Sequence, residues 1–471
     1  FFFFKQKTAY EIRPRDCSSD VCSSDLSKRE IMSSIYSKDI ETSIAQSLIN
    51  TFGANVYLTF GYQVPWTNDQ SPPQANTSTA SYYETWRNMI GGKKISPYDA
   101  SLAIPRINWT SNTTYIAYDH MQDSLTKSAN TAYYVVTDDF NVYKCIANNY
   151  GQPSIYKPVS TNPGIISQTA DLYYWKYMYS LNGNDQQRFT TDNFIPVRTL
   201  KQNDNSLQWQ VQQDAVPGAI NSILVTNPGQ GYTYANTVTV TITGDGSYAN
   251  AYAVVNTQTQ SIGSIVVDNY GSGYTYATVT ITCTVGLYAQ ARAIISPPGG
   301  HGSDPASELG ASYVVLNPQL NGSEHGVMAS TNDYRQISLI SSPYVFGTTN
   351  VSSNQAFSQL TVLTLSQSTS TTDYLQDELV YQGNNVSNAS LTGYVAGWDS
   401  ATSLIKVNNI SGYPISALLY GNTSGANRYV SGPPQNPDLQ PYTGYLLYKD
   451  NITPVTRAID QNEDYKIVLS F

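Results

Sequence analysis

A mainly β fold, made of sandwich or barrel units with a few short helices, is predicted by three observations. Short stretches of alternating apolar residues, broken by Gly, Asn, Ser and Pro turns, recur along the 471-residue chain. One stretch occurs twice: SILVTNPGQGYTYA (222–235) and SIVVDNYGSGYTYA (264–277) align with a period of 42. Polarity rests on Ser, Thr, Asn and Gln. Charged residues are 13% of the chain, against roughly 25% in an average domain, and Tyr numbers 39. These residue types suit pleated sheets and protein contact surfaces. A chain this long can bury a large core and is expected to divide into two to four units.

Residues 1–26 (FFFFKQKTAYEIRPRDCSSDVCSSDL) lack periodicity, and four Phe before Lys5 make no signal-peptide core. They resemble the translation of sequencing-adapter read-through, and Met32 is the expected native start. Their four bases and four acids cancel, so the net charge stays −9 without them. Setting them aside removes Cys17 and Cys22. Cys145 and Cys283 remain, too far apart for a disulfide framework or a metal cluster, which suits assembly in a reducing cytoplasm.

A helix is expected over 37–53. Ile40, Ile44 and Leu48 form its stripe, widened by Ala45 and Ile49, while Ser37 caps it and Gly53 stops it. A strand follows at 55–60, then a Pro/Ser/Thr/Asn-rich loop at 70–79. Tyr82, Trp86, Met89 and Ile90 lie at helical spacing, with Gly91 and Gly92 as the stop. Ala103 and Ile104 enter a buried strand that Pro105 ends. Residues 132–147 read as a hairpin, 172–181 as an aromatic strand around Trp175, 185–189 as one helical turn and 196–200 as extended chain. The repeat gives a β unit over 217–298. Val238, Val240 and Ile242 mark one face in the first copy, and Val279, Ile281 and Cys283 mark it in the second. The two copies should pack on each other, since neither can bury its face alone. A second small barrel or sandwich is expected at 373–432. Pro433, Pro434, Pro437 and Pro441 form a stiff return, and closing strands lie at 445–448 and 465–471.

Five segments also carry a resemblance. They are LTFGYQVPW (58–66), YYETWRNMIGGKKISPYDASLAIPRINW (82–109), DLYYWKYMYSL (171–181), NDYRQISLISSP (332–343) and GYLLYKDNITPVTRAIDQNEDYKIVLSF (444–471). In this order the chain resembles a wedge subunit of the baseplate of T-even-like contractile-tailed phages. The resemblance implies a family core at 32–216, 299–372 and 433–471, interrupted by the two β insertions. It further implies a homodimer that joins other wedge subunits, assembles in the host cytoplasm and works in the virion tail. Such a subunit has no enzymatic activity, holds the wedge together and takes part in its rearrangement when the sheath contracts. A glycan-binding tail adhesin is the alternative reading, and a polysaccharide-degrading enzyme a third.

Side-chain chemistry adds no catalytic, cofactor or metal site. Gly229-x-Gly231 and Gly271-x-Gly273 lack the third Gly and the following helix of a dinucleotide loop, so they read as β-turn glycines. His301, Ser303 and Asp304 are too close in sequence to converge as a triad, and read as a packed loop. His120, His301 and His325 have no metal spacing. Cys145 and Cys283 read as small buried apolar residues. Asp377–Glu378 and Glu463–Asp464 point to opposite faces of a strand and read as solvated strand edges rather than paired glycosidase acids. Trp66, Trp86, Trp109 and Trp175, which lie in the five matching segments, read as core or interface packing residues, and Trp398 as the one freest to bind a ligand. No basic run exceeds two residues and no apolar run approaches the ~20 needed to span a bilayer, so neither nucleic acid nor a membrane is an expected partner.

Overall fold

Segments far apart in the chain meet in one five-stranded antiparallel sheet. Its order is Ala356–Ser358, Met89–Lys94, Val56–Gly61, Asp333–Ser341 and Tyr445–Thr456. The computed structural model describes residues 38–52, 55–122, 133–234, 238–366 and 372–471. The adapter-like segment 1–26, the start at Met32, the cap Ser37 and the stop Gly53 lie outside the described residues. Mainly β architecture with a few short helices is what the structure has. The central strand Val56–Gly61 is buried at all six positions. A strand covered on both faces reads as a continuous apolar run rather than an alternation. Its two interior hydroxyls are both paired: Thr59 Oγ1 lies 2.5 Å from Ser338 Oγ on the neighbouring strand, and Tyr57 donates to Ser352 Oγ at 3.2 Å.

Two four-stranded sheets complete this part. One runs Ile467–Ser470, Tyr313–Leu316, Ala100–Pro105, Phe194–Pro196, and the other Tyr134–Val136, Asn141–Asn148, Tyr173–Ser180, Ile166–Gln168. One cluster holds all three together, from Leu58 and Phe60 through Ile104, Tyr143 and Trp175 to Leu316 and Leu339. Full burial of each such side chain contributes roughly 1.5–3 kcal/mol before entropy is counted.

Three local expectations need correction. The helix predicted to run through Ile90 is Thr79–Asn88, and Met89–Lys94 is a strand. Gly91 and Gly92 are therefore not a helix stop. A Cβ on Gly92 would lie 2.6 Å from the Phe357 ring and 2.7 Å from the Leu58 carbonyl, so the glycine permits close strand packing. In the helix Lys38–Thr51 the expected Ala45, Leu48 and Ile49 pack against the core together with Phe52, but the N-terminal part of the stripe does not. Ile40 and Ile44 stay 46% and 48% exposed. The helix Leu207–Gln213, capped by Ser206, was not foreseen because its glutamines hide the periodicity.

Within the repeat, Ile220–Asn227, Val238–Gly244 and Ser247–Asn256 form the first copy. Ser261–Ser272, Ala277–Cys283 and Gln290–Ile295 form the second. The copies exchange partners. Their middle strands pair with each other (Val240↔Ile281), and each first strand pairs with the other copy's third (Ile223↔Ala293, Ile265↔Ala253). The result has a pseudo-two-fold axis and its own core, which includes Ile223, Ile265, Tyr232 and Tyr274. Each of these tyrosines covers a glycine of the other copy, Tyr232 over Gly286 and Tyr274 over Gly246. Any Cβ there would overlap the ring.

The last unit is a six-stranded sheet in the order Thr361–Thr364, Leu404–Gly412, Leu391–Asp399, Leu379–Gln382, Leu418–Gly421, Asn427–Tyr429. Bridges Leu365↔Val430 and Val362↔Gln435 join its ends, making a small barrel around Leu363, Leu391, Val395, Ile405, Val407 and Leu419. Residues 361–365 belong to this barrel, ahead of the expected boundary at 373.

Candidate interaction surface

The helix Thr79–Asn88 begins where the Ser78 hydroxyl accepts from the Ser81 amide, and its aromatic residues face a neighbouring loop. Trp86 is buried at 2% exposure and anchors the group. Tyr83 meets Tyr82 and Tyr442 edge-on at 5.6 and 5.1 Å, and Trp86 meets Tyr442 at 6.4 Å. Tyr83 and Tyr442 remain 46% exposed and Tyr445 73%. On the other flank Tyr62 stacks on Trp66 at 3.9 Å, and Trp66 Nε1 donates to the Ile452 carbonyl at 3.2 Å. Burial, then the charge of Glu84, raises the Tyr62 phenol above its usual range. Tyr62 and Tyr442 both hold left-handed backbone, at φ 70° and 64°. Such strain in bulky residues persists only where the surroundings impose it. The belt is preorganised and half exposed, the state in which aromatic residues act as interface anchors.

Beneath the surface lies a fully enclosed charge cluster. Lys144 Nζ meets Glu308 Oε2 at 2.8 Å with side-chain exposures of 0% and 3%. Glu308 Oε1 accepts from the Gly302 amide at 2.6 Å, and Lys144 lies 4.1 Å above the Tyr118 ring. Burial opposes the Glu308 charge, but Lys144 and His301 outweigh it and hold the carboxyl down at about 2. His301 Nδ1 is 3.9 Å from Glu308 Oε2, too far for a hydrogen bond, and neither ring nitrogen has a hydrogen-bond partner among the described residues. Burial, helped by the Lys144 charge, pushes the imidazole down to about 4. A second enclosed pair is Arg457–Glu463 at 2.9 Å, with Arg457 also bonded to the Ala329 and Gly322 carbonyls.

The other residues singled out by sequence are scattered. Gly229, Gly231, Gly271 and Gly273 sit in turns at φ 67°, 81°, 61° and 77°. Ser303 Oγ donates to the Pro298 carbonyl, and Asp304 caps the helix Pro305–Glu308, so neither faces His301 as a triad member would. His120 Nδ1 accepts from the Ile295 amide at 3.3 Å, and His325 lies exposed in a turn. Cys145 is buried, which pushes its thiol well up, and Cys283 Sγ accepts from the Gly286 amide. Asp377 accepts from Gln63 and the Asp333 amide, while Glu378 turns the other way to the Thr423 and Ser424 amides. Glu378 and Glu463 are buried and Asp377 is half-buried, which corrects the solvated-edge reading; Asp464 is exposed. Trp175 is buried, Trp109 Nε1 donates to Ser154 Oγ and Trp209 is half-buried. Trp398 is not free. Its indole N–H donates to Asp373 at 2.9 Å and Arg428 covers its ring at 4.7 Å.

A cleft of about 700 Å³ lies between the helix Lys38–Thr51, the turn Pro97–Asp99 and the helix Gly183–Phe189. Three of its charged residues are engaged: Arg188 with Asp99, and Arg198 with Asp185. No group of three or more His, Cys, Asp or Glu able to hold a metal occurs among the described residues. No family model matches the chain, and no curated protein matches it.

Proposed function

We propose that this chain is a structural, non-catalytic subunit of a contractile-tail baseplate wedge, acting as a homodimer joined to other wedge subunits. One observation carries the reading. The five segments on which the resemblance rests are spread over more than four hundred residues, yet they supply strands of the three sheets that share one core. Val56–Gly61, Met89–Lys94, Asp333–Ser341 and Tyr445–Thr456 are successive neighbours in one sheet, Ala100–Pro105 and Ile467–Ser470 flank Tyr313–Leu316 in the second, and Tyr173–Ser180 is in the third. The repeat and the barrel keep separate clusters. This supports a shared core with two units added to it.

The work of such a subunit is mechanical. Enclosed ion pairs and a shared apolar core transmit force without internal rearrangement, so movement on sheath contraction falls at contacts between subunits. In this reading the aromatic belt, formed by three of the five segments together with Tyr442, is the self-complementary dimer patch. Co-expression with the neighbouring tail proteins of the same phage tests the proposal. A stable complex surviving size-exclusion chromatography is the expected result, and a chain that elutes alone in every combination contradicts it.

A further inference from the structure

We propose that the repeat unit carries two quasi-equivalent sites for a neutral polysaccharide, one at each end of its central strand pair. The observation is a duplicated irregularity. Tyr248 and Tyr288 occupy corresponding places after the glycines that receive the partner tyrosines, Gly246 and Gly286. Both adopt left-handed backbone, at φ 69° and 70°, and both rings are among the most exposed in the molecule, at 83% and 69%. A bulky aromatic residue in that conformation is strained where Gly or Asn would be relaxed. Strain placed twice, by symmetry, under an exposed ring is retained for what the ring contacts.

Each ring has a companion. Tyr276, 63% exposed, follows Thr275, and the amides of both donate to Asp245, three residues before Tyr248. At the other end the loop of Tyr234, 68% exposed, bridges through Gln230 to Leu287, beside Tyr288. Gly244↔Ala277 and Val238↔Cys283 are the two ends of the paired strands, so the sites stand roughly 20 Å apart at ~3.4 Å per residue. Between them the solvent face is an array of hydroxyls, with Thr239, Thr241 and Thr243 opposite Thr282, Thr280 and Thr278.

The occupant follows from charge. Residues 217–298 contain three charged side chains, Asp245, Asp268 and Arg292. Arg292 is held by Asp119 of the core through two hydrogen bonds at 2.7 and 2.6 Å, and Asp245 by Thr275 and the adjacent amides. Such a surface offers no pairing to phosphate or to an acidic chain. It offers aromatic faces for the C–H side of a sugar ring, hydroxyls between them, and two sites that one long polymer can span.

Affinity electrophoresis of the full chain through gels containing dextran, glycogen, mannan or galactan tests this, with heparin as the anionic control. Retardation by at least one neutral polysaccharide and none by heparin is expected. Tyr248→Gly or Tyr288→Gly should each weaken it about tenfold through lost bivalency, and together abolish it, while the melting temperature holds or rises as the strain is relieved. If the double Gly variant melts lower, the Tyr→Asn pair, also tolerant of left-handed backbone, repeats the measurement. No retardation by any neutral polysaccharide, or retardation unchanged in the double variant, overturns the proposal. So does a double variant that loses its complex with tail proteins while polysaccharide binding persists, because the tips are then protein contacts.

Discussion

The core and the repeat reach the same end, a buried apolar centre between antiparallel strands, by different means. The core seals charges inside itself: Lys144 with Glu308, and Arg457 with Glu463. The repeat has almost no charge to place and is specified by backbone. Five left-handed glycines bend its chain, and two further glycines receive the tyrosines of the opposite copy. The difference teaches where each part is fragile. The core fails when one partner of an enclosed pair is lost. The repeat fails when a single methyl group is added.

The largest expected effect is in the core. Lys144→Met leaves Glu308 enclosed without its cation and should cost about 3–5 kcal/mol in denaturant unfolding, with Lys144→Met/Glu308→Leu recovering much of it. A single-variant loss under about 1 kcal/mol would remove the cluster from the account. Acid should reveal the same cluster. Burial holds the folded His301 at about 4 against its ordinary 6.5, so the unfolded chain binds the extra proton between these values and stability falls as pH drops from 6.5 to 4, by roughly 3 kcal/mol. Glu308, held near 2 against 4.5, extends the loss from pH 4.5 downward. His301→Gln should flatten the upper window and narrow the lower one, since Lys144 then holds the Glu308 charge without the imidazole; an unchanged pH profile would contradict this.

In the repeat, Gly286→Ala should cost about 1–3 kcal/mol, because the methyl meets the Tyr232 ring. Hydrogen exchange should accelerate in 220–295 and stay constant in Val56–Gly61. Equal acceleration in both would join the two regions into one cooperative unit. Tyr83→Ala, at a half-exposed ring, should move the stability of the isolated chain by under about 1 kcal/mol.

Much of this was legible in the sequence, for reasons that differ by region. The repeat declared itself by duplication, and its apolar faces, Val238/Val240/Ile242 and Val279/Ile281/Cys283, lie across from each other on paired strands. The hairpin and the aromatic strand around Trp175 followed from local pattern. Met89 and Ile90 fit helix and strand spacing alike, and pairing with the distant strands Val56–Gly61 and Ala356–Ser358 decides between them. Lys144 and Glu308 are 164 positions apart, and nothing local in either segment points to the other. Tyr442 joins the belt from outside the matched segments. Tyr248 and Tyr288 are a readable signal in the sequence, an echo of the repeat at a slightly different spacing, because the stretch leading into the second strand is shorter in the second copy.

The central claim is that the core dimerises through its aromatic belt, and light scattering at micromolar concentration tests it most directly. The wild-type chain should give twice its 51.8 kDa mass, and Tyr83→Ala/Tyr442→Ala should give the single mass while keeping its folded circular dichroism and a cooperative melt that no longer depends on protein concentration. A wild-type monomer, or a dimer indifferent to the double substitution, contradicts the account.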